Sequence, residues 1–136
     1  MERSTELPWR LLLIDDDEDL REIFFATLST IAGIEVVVAE SGQVGLALAQ
    51  AGHFDAILLD VMMPGMGGEA VLHELQTHSS TADIPVIFMT SRTHGDDRQH
   101  LLEIGGEAVI SKACKAGQIA TQILTILKKI YSSGIR

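Results

Sequence analysis

Two hydrophobic patterns alternate five times along the chain. The first is a short segment that is apolar at consecutive positions and rich in leucine or β-branched residues, as in parallel strands buried on both faces. These predicted strands occupy residues 11–14, 34–38, 56–59, 84–89 and 108–110. Each is followed by a longer segment with apolar residues every three or four positions, the period of an amphipathic helix. Five such units in a row predict an α/β domain, with helices on both faces of a parallel sheet.

The predicted helices can be assigned apolar faces from this period. The faces comprise Leu20, Ile23, Phe24, Leu28 and Ile31; Val44, Ala47, Leu48 and Ala51; Ala70, Val71 and Leu75; Leu101, Leu102 and Ile104; and Ile119, Ile123, Ile126, Leu127 and Ile130. Ser41 is predicted to cap the second helix, because a serine side chain can accept a hydrogen bond from a free amide of the first turn.

Length and composition fit a single globular domain. The chain has 136 residues, of which 46% are hydrophobic and 21% charged, a balance that excludes a disordered chain. We expect one domain with a core from about residue 10 to about residue 131 and short tails, and no output domain after the last helix. A net charge of −9 disfavours direct nucleic-acid binding, which needs a cationic surface.

The chain has no recognisable secretion or membrane signal. Its first ten residues lack a basic start and an apolar core, and no apolar segment approaches the roughly 20 residues of a membrane span. Cys114 is the only cysteine, which rules out an internal disulfide and fits a reducing compartment. We therefore expect a cytoplasmic protein without membrane insertion.

Polar residues stand where the predicted strands end. Ligands of open α/β sheets bind beyond the carboxyl ends of the strands, so these residues are expected to converge on one rim. They are Asp15 and Asp16 after the first strand, Asp60 after the third, Thr90 and Ser91 after the fourth, and Ser111 and Lys112 after the fifth.

The acidic residues at this rim predict a divalent cation. Asp17, Glu18 and Asp19 are explained by the start of a helix, where carboxylates cap free amides and meet the positive end of the helix dipole. Asp15, Asp16 and Asp60 are not explained in this way. Carboxylates brought within about 4–6 Å of one another repel, and Mg²⁺ offsets such repulsion through hard oxygen ligands.

The same set of side chains is suited to phosphoryl transfer. A carboxylate such as Asp60 can act as a nucleophile and form an aspartyl-phosphate. Negative charge on the transferring group can be stabilised by a metal ion and an ammonium such as Lys112, and Thr90 can donate a hydrogen bond. Pro64 and the glycines after Asp60 predict a tight turn, which leaves the Met62 carbonyl available as a metal ligand.

These motifs resemble the receiver domain of two-component response regulators over about residues 10–130. The matching segments are Leu-Leu-Leu-Ile-Asp15-Asp16-Asp17, Leu-Leu-Asp60-Val-Met-Met-Pro-Gly-Met-Gly-Gly, Ile-Pro-Val-Ile-Phe-Met-Thr90-Ser and Ile-Ser-Lys112. The resemblance implies a flavodoxin-like, doubly wound (βα)5 fold with a five-stranded parallel sheet in the order 2-1-3-4-5.

The resemblance also implies roles for the rim residues. Asp60 would be the phosphoacceptor, contacted through its phosphoryl group by Thr90 and Lys112. Asp16 would bind Mg²⁺, with Mn²⁺ as a substitute, together with Asp60 and the Met62 carbonyl, and Asp15 would bind through water or shape the site. The implied donor is a sensor histidine kinase or a histidine phosphotransfer protein, and phosphorylation would switch binding of an unknown downstream protein. Such a domain is not an enzyme beyond its own phosphorylation and dephosphorylation.

Several positions depart from the family's usual pattern. In the family a proline usually follows the lysine, and the bond between them is cis; here Ala113 stands in its place. We therefore predict a trans Lys112–Ala113 bond or a rearranged loop. Either change could displace Lys112 from the site. Val109 stands in place of a signalling aromatic residue, and Cys114 in place of a phenylalanine. Met62 and Arg92 flank the site at variable positions and are expected to modulate the lifetime of the phosphoryl group.

Three other functions compete with this one. A pseudo-receiver scaffold would bind a partner without being phosphorylated. A haloacid-dehalogenase-like phosphatase would need a general acid where Met62 stands, and a flavodoxin would need a phosphate-binding loop where Asp15 to Asp19 would repel phosphate. The histidines show no metal-binding spacing and are interpreted as ordinary surface or partly buried residues: His53, His73, His78, His94 and His100.

Overall fold

A computed structural model describes residues 8–31, 33–91 and 95–132. Within these residues, five strands alternate with five helices. The elements are β1 (Arg10–Ile14), α1 (Glu18–Ile31), β2 (Glu35–Ala39), α2 (Gly42–Ala51), β3 (Ala56–Asp60), α3 (Gly68–Thr77), β4 (Val86–Thr90), α4 (Gly95–Glu103), β5 (Ala108–Ser111) and α5 (Ala116–Ser132).

The strands form one parallel sheet in the order β2-β1-β3-β4-β5. This confirms the predicted fold class, a flavodoxin-like doubly wound α/β sheet. None of the helices in the described part of the chain is long and apolar enough to cross a membrane.

The sheet divides the hydrophobic core into two clusters. Successive strand residues point to opposite faces, so Leu11 and Leu13 of β1 pack with α1 and α5, whereas Leu12 and Ile14 pack with α2, α3 and α4. All residues of β3 and β4 are buried, as the apolar segments predicted. The edge strand β2 is different, because two of its residues, Glu35 and Val38, remain exposed.

Two predicted strands begin later than expected. The fourth was predicted from residue 84 but starts at Val86, after Pro85, which has no amide hydrogen for the strand ladder. The amide of Ile84 is instead used in a turn, where it donates to the Thr81 carbonyl at 3.1 Å. The second strand is shifted one residue towards the C-terminus.

The predicted apolar face is correct for α5 and wrong for α2. In α5, Ile119, Ile123, Leu127 and Ile130 are buried. In α2, Val44, Ala47 and Ala51 are exposed, and of the predicted face only Leu48 is half-buried against the core. The buried residues are Gly42, Gly45 and Ala49. Small residues let the helix approach the sheet closely, since a Cβ atom on Gly45 would lie 2.4 Å from Ile14 Cδ1. Ser41 does cap the helix, accepting from the Val44 amide at 3.2 Å.

Single positions in three other helices were also assigned to the core wrongly. Ile23, Ala70 and Leu102 are exposed, whereas the residues next to them, Phe24, Val71 and Leu101, are buried. The Ile31 side chain, also assigned to an apolar face, and residues 133–136 of the predicted tail lie outside the described residues.

Gly68 brings the start of α3 against the end of β3. Its amide donates to the Val61 carbonyl at 3.0 Å. A Cβ atom here would lie 2.6 Å from the Asp60 carbonyl oxygen and 2.9 Å from Val61 Cα. Both are backbone atoms, one at the end of β3 and one in the residue that follows it, so they cannot rotate away as a side chain could.

We predict that Gly68→Ala destabilises the fold by about 1–3 kcal/mol, because the added methyl group overpacks a site that cannot yield. Gly117→Ala is the matched control, since nothing lies within 4 Å of a Cβ atom there; it should be neutral or stabilising by up to about 1 kcal/mol. Urea denaturation of both variants tests this. Equal stability of the two variants would contradict the prediction.

Candidate functional site

The parallel register brings the predicted site residues to one rim of the sheet. Ile14 is aligned with Leu59, Asp60 with Met89, and Thr90 with Ser111. Residues that close β1, β3, β4 and β5 therefore stand side by side at their carboxyl ends. The convergence expected for Asp15, Asp16, Asp60, Thr90 and Lys112 is present.

Three carboxylates form a compact cluster at this rim. Asp15, Asp16 and Asp60 each offer an oxygen atom, and these atoms all lie within 4.8 Å of one another. Asp15 is 0% exposed and Asp60 3%, whereas Asp16 is exposed to solvent. Buried carboxylates this close repel strongly unless a positive charge lies among them.

Lys112 provides that positive charge. Its Nζ atom lies 3.1 Å from Asp15 Oδ2 and 3.0 Å from Asp60 Oδ1. Burial alone would lower the pKa of Lys112, but the hydrogen bond to Asp60 and the charge of Asp15 outweigh it and raise the pKa above its ordinary value. Lys112 is therefore a charged ammonium that bridges the ends of β1, β3 and β5.

The turn after β5 keeps Lys112 in place without the family's proline. No peptide bond in the described residues is cis, so the Lys112–Ala113 bond is trans, as predicted, and Lys112 is not displaced. Its amide donates to the Thr90 carbonyl at 2.9 Å. Ser111 Oγ accepts from the Ala113 amide at 3.1 Å, and the Ser111 carbonyl accepts from the Cys114 amide at 3.3 Å.

The role of Ser111 was not anticipated from the sequence. A serine whose side chain binds the amide two residues later is a recurrent turn signal. The sequence pattern indicates only that Ser111 stands at a strand end.

Asp15 is held by contacts from the start of α1. Its Oδ1 atom accepts from the Asp17 amide at 2.9 Å, and its carbonyl accepts from Arg21 Nη1 at 2.9 Å. Asp17 Oδ1 accepts from the Leu20 amide at 3.2 Å, which confirms the predicted capping role of Asp17. The contact from Arg21 was not anticipated.

Asp15 Oδ2 is incompletely satisfied. Apart from the Lys112 ammonium at 3.1 Å, it has no partner in the described part of the chain. Buried carboxylate oxygens normally have partners. An oxygen of this kind next to two other carboxylates fits a hard divalent cation such as Mg²⁺.

Asp60 is a buried carboxylate that remains mainly ionised at neutral pH. Burial, reinforced by the charge of Asp15, raises the pKa of Asp60 from 3.8 to about 6. The Lys112 ammonium and the Met62 amide, which lies 3.3 Å from Asp60 Oδ1, oppose this increase. Asp60 thus presents a desolvated carboxylate, which is the form of the side chain that can attack an electrophile.

Met62 adjoins this carboxylate, and Thr90 closes the neighbouring strand β4. The Met62 side chain is exposed, and its backbone adjoins Asp60 through the amide contact; metal binding by its carbonyl stays a prediction. Thr90 is buried at the end of β4. Arg92, the other predicted flanking residue, lies outside the described residues.

The residues that depart from the family pattern lie on two sides of the sheet. Val109 is buried in the core cluster that contains α2, α3 and α4. Cys114 is half-buried against the cluster that contains α1 and α5. In the described part of the chain no histidine joins the carboxylate cluster, and His94 falls outside that part.

Comparisons with known proteins agree on one family. The sequence model of the response regulator receiver domain matches residues 11–124. The chain is 30% identical over 119 residues to the phosphate regulon transcriptional regulatory protein PhoB of Pseudomonas aeruginosa, covering 88% of this chain and 52% of that protein. It is 32% identical over 120 residues to the transcriptional regulatory protein CiaR of Streptococcus pneumoniae, with the same coverage. The chain thus spans about half the length of the curated relatives it matches.

Solved structures agree on the fold. The chemotaxis protein CheY4 of Vibrio cholerae has a TM-score of 0.81 and 27% identity, and the match covers 88% of this chain and 99% of that one. A response regulator from Desulfuromonas acetoxidans has a TM-score of 0.81 and 25% identity, with 90% and 99% covered.

The raised pKa of Asp60 predicts that Asp60→Asn stabilises the protein in metal-free buffer above pH 6. The native state binds the Asp60 proton more tightly than the unfolded chain, so wild-type stability falls as the pH rises from 3.8 towards about 6. The variant lacks this penalty and should gain about 1–3 kcal/mol at pH 7.5.

This difference between variant and wild type should shrink as the pH falls below 6 towards 4. Urea denaturation with EDTA across this pH range measures it. The buried charge of Asp60 is expected to lower the free energy of unfolding. A variant less stable than wild type at pH 7.5, or a stability difference that does not change with pH, would contradict this.

Proposed function

Because this chain belongs to the response regulator receiver domain family, we propose that Asp60 accepts a phosphoryl group from phosphohistidine. The donor would be a sensor histidine kinase or a histidine phosphotransfer protein. The observation that carries the proposal is the environment of Asp60: a buried carboxylate at a strand end, 3.0 Å from the Lys112 ammonium and clustered with Asp15 and Asp16. We further propose one receiver domain, with a core over about residues 10–131.

The reaction is a displacement at phosphorus. A carboxylate oxygen of Asp60 forms the new bond to phosphorus, and the bond between phosphorus and the imidazole nitrogen of the donor breaks, with its electron pair leaving on the imidazole. Lys112 would stabilise the negative charge on the transferring group. Thr90, at the end of β4, would donate a hydrogen bond to a phosphoryl oxygen.

The oxygen atoms at the rim fit a hard divalent cation. Asp15, Asp16 and Asp60, with the Met62 carbonyl, would hold Mg²⁺ or, in its place, Mn²⁺. A bound ion of this kind neutralises charge on the carboxylates and on phosphoryl oxygens. The incompletely satisfied Asp15 Oδ2 supports this assignment.

Receiver domains are signalling domains rather than classical enzymes, so the only reactions proposed are the chain's own phosphorylation and dephosphorylation. Added charge on Asp60 would draw Thr90 towards the phosphoryl group and change the surface that binds a downstream protein. Val109 offers no ring to reorient, so the change would pass through Thr90 and the segment that follows β4.

The alternatives receive less support. A pseudo-receiver scaffold has no need for the complete set of Asp15, Asp16, Asp60 and Lys112. A haloacid-dehalogenase-like phosphatase would require a proton donor at Met62, whose side chain has none. The net charge of −9 also disfavours direct contact with nucleic acid.

We predict that wild-type protein incubated with Mg²⁺ and acetyl phosphate gains one acid-stable, base-labile phosphoryl group, because Asp60 is the nucleophile. Intact-mass spectrometry measures the modification. Asp60→Asn should abolish it. Asp83→Asn, which removes an exposed carboxylate between α3 and β4, should leave it unchanged. Unmodified wild type, or modified Asp60→Asn, would refute the proposal.

We also predict that the chain binds Mg²⁺ and that Asp16→Asn weakens this affinity about tenfold or more, since a direct ligand is lost. Isothermal titration calorimetry measures the affinity. Asp19→Asn is the matched control, because Asp19 is an exposed carboxylate in the first turn of α1 and lies outside the cluster. Equal losses in the two variants would show general charge attraction instead of a defined site.

A further inference from the structure

A groove between α1 and β2 is not part of the carboxylate site. It has a volume of about 320 Å³ and is lined by Glu18, Arg21, Glu22 and Phe25 of α1 and by Val38 of β2. The α1 residues recur at intervals of three and four, so they share one face of the helix. That face spans two turns, or about 10 Å along the helix axis.

The floor of the groove is apolar and solvent-exposed. Phe25 is 47% exposed and Val38 38%, although the adjacent Phe24 and the alternate strand residue Val36 are buried in the core. Val36 and Val38 point to the same face of the sheet, and α1 covers only the first of them. β2 is the edge strand, so no further strand in the described part of the chain closes this side of the groove.

The rim of the groove is acidic. Glu18 and Glu22 are exposed, and neither forms an ion pair with another described residue. Arg21 does not neutralise them by direct contact, because its Nη1 atom donates to the Asp15 carbonyl at 2.9 Å. A chain with a net charge of −9 would also repel a second copy of itself at this surface.

We propose that this groove binds a basic amphipathic helix of a partner protein. A bulky apolar side chain of that helix would pack between Phe25 and Val38, and lysine or arginine residues on either side would pair with Glu18 and Glu22. This is helix-in-groove recognition with an aromatic anchor and complementary charge at the rim. The surface goes beyond the proposed function, because its chemistry does not depend on phosphorylation of Asp60.

The test uses a synthetic amidated peptide of lysine and leucine, with leucine every third or fourth position so that one helical face is apolar. The peptide is titrated into the ¹⁵N-labelled full chain, and amide shifts report site and affinity. The shifts are expected to centre on α1 and β2. A peptide of the same composition in shuffled order should bind about tenfold more weakly, because it lacks an apolar face.

Matched variants distinguish binding in the groove from non-specific hydrophobic binding of the peptide. Phe25→Ser and Val38→Thr should each weaken binding of the amphipathic peptide about tenfold, as loss of an interface anchor does. Ile23→Ser is the control, because Ile23 is equally exposed on the same helix but does not line the groove. Phe25 lies in α1 and Val38 in β2, and both side chains are exposed. If one of the two variants fails to fold, the other is sufficient for the test.

Charge is tested in the same way. The double variant Glu18→Gln/Glu22→Gln should weaken binding about five- to tenfold at low salt. The double variant Asp96→Asn/Asp97→Asn removes the same charge from the first turn of α4 and should change it less than about twofold. Shifts centred elsewhere, equal losses in test and control variants, or equal binding of the shuffled peptide would overturn the proposal.

Discussion

The contact of the Lys112 ammonium with Asp15 and Asp60 is the interaction on which the rest of the site depends. Without it, two carboxylates that are almost fully buried would repel each other strongly in this place. The ammonium joins the ends of three strands, and its distances of 3.0 and 3.1 Å to the carboxylates set their spacing. In the same geometry Asp15 Oδ2 is incompletely satisfied, and the pKa of Asp60 is raised to about 6. Both features suit a site that gains a cation and a phosphoryl group.

This contact survives a local change in sequence. A proline usually follows the lysine in this family, and Ala113 stands there instead. Ser111 compensates, since its hydroxyl and its carbonyl accept from the amides of Ala113 and Cys114. Hydrogen bonds within the turn thus hold the backbone where a proline ring would otherwise restrict it. Lys112 therefore reaches Asp15 and Asp60 even though alanine follows it.

The fold and the cluster of Asp15, Asp60 and Lys112 at the sheet rim could be predicted, because both depend on local pattern. Buried parallel strands are apolar at consecutive positions, and their carboxyl ends meet, so Asp15, Asp60 and Lys112 follow from strand order. The face of α2 could not be predicted, because the buried Gly45 carries no hydrophobic signal and is explained only by its contact with Ile14. The exposure of Phe25 has a similar cause, since it depends on where α1 lies over the edge strand.

The central claim is that Lys112 and Thr90 converge on a phosphoryl group carried by Asp60. A crystal structure of the chain with Mg²⁺ and beryllofluoride, a phosphoryl mimic, tests it most directly. Beryllofluoride bonded to an Asp60 oxygen, with Lys112 Nζ and the Thr90 hydroxyl both contacting its fluorides, is the predicted result. An unmodified Asp60, or an adduct from which Lys112 is turned away, would contradict the claim.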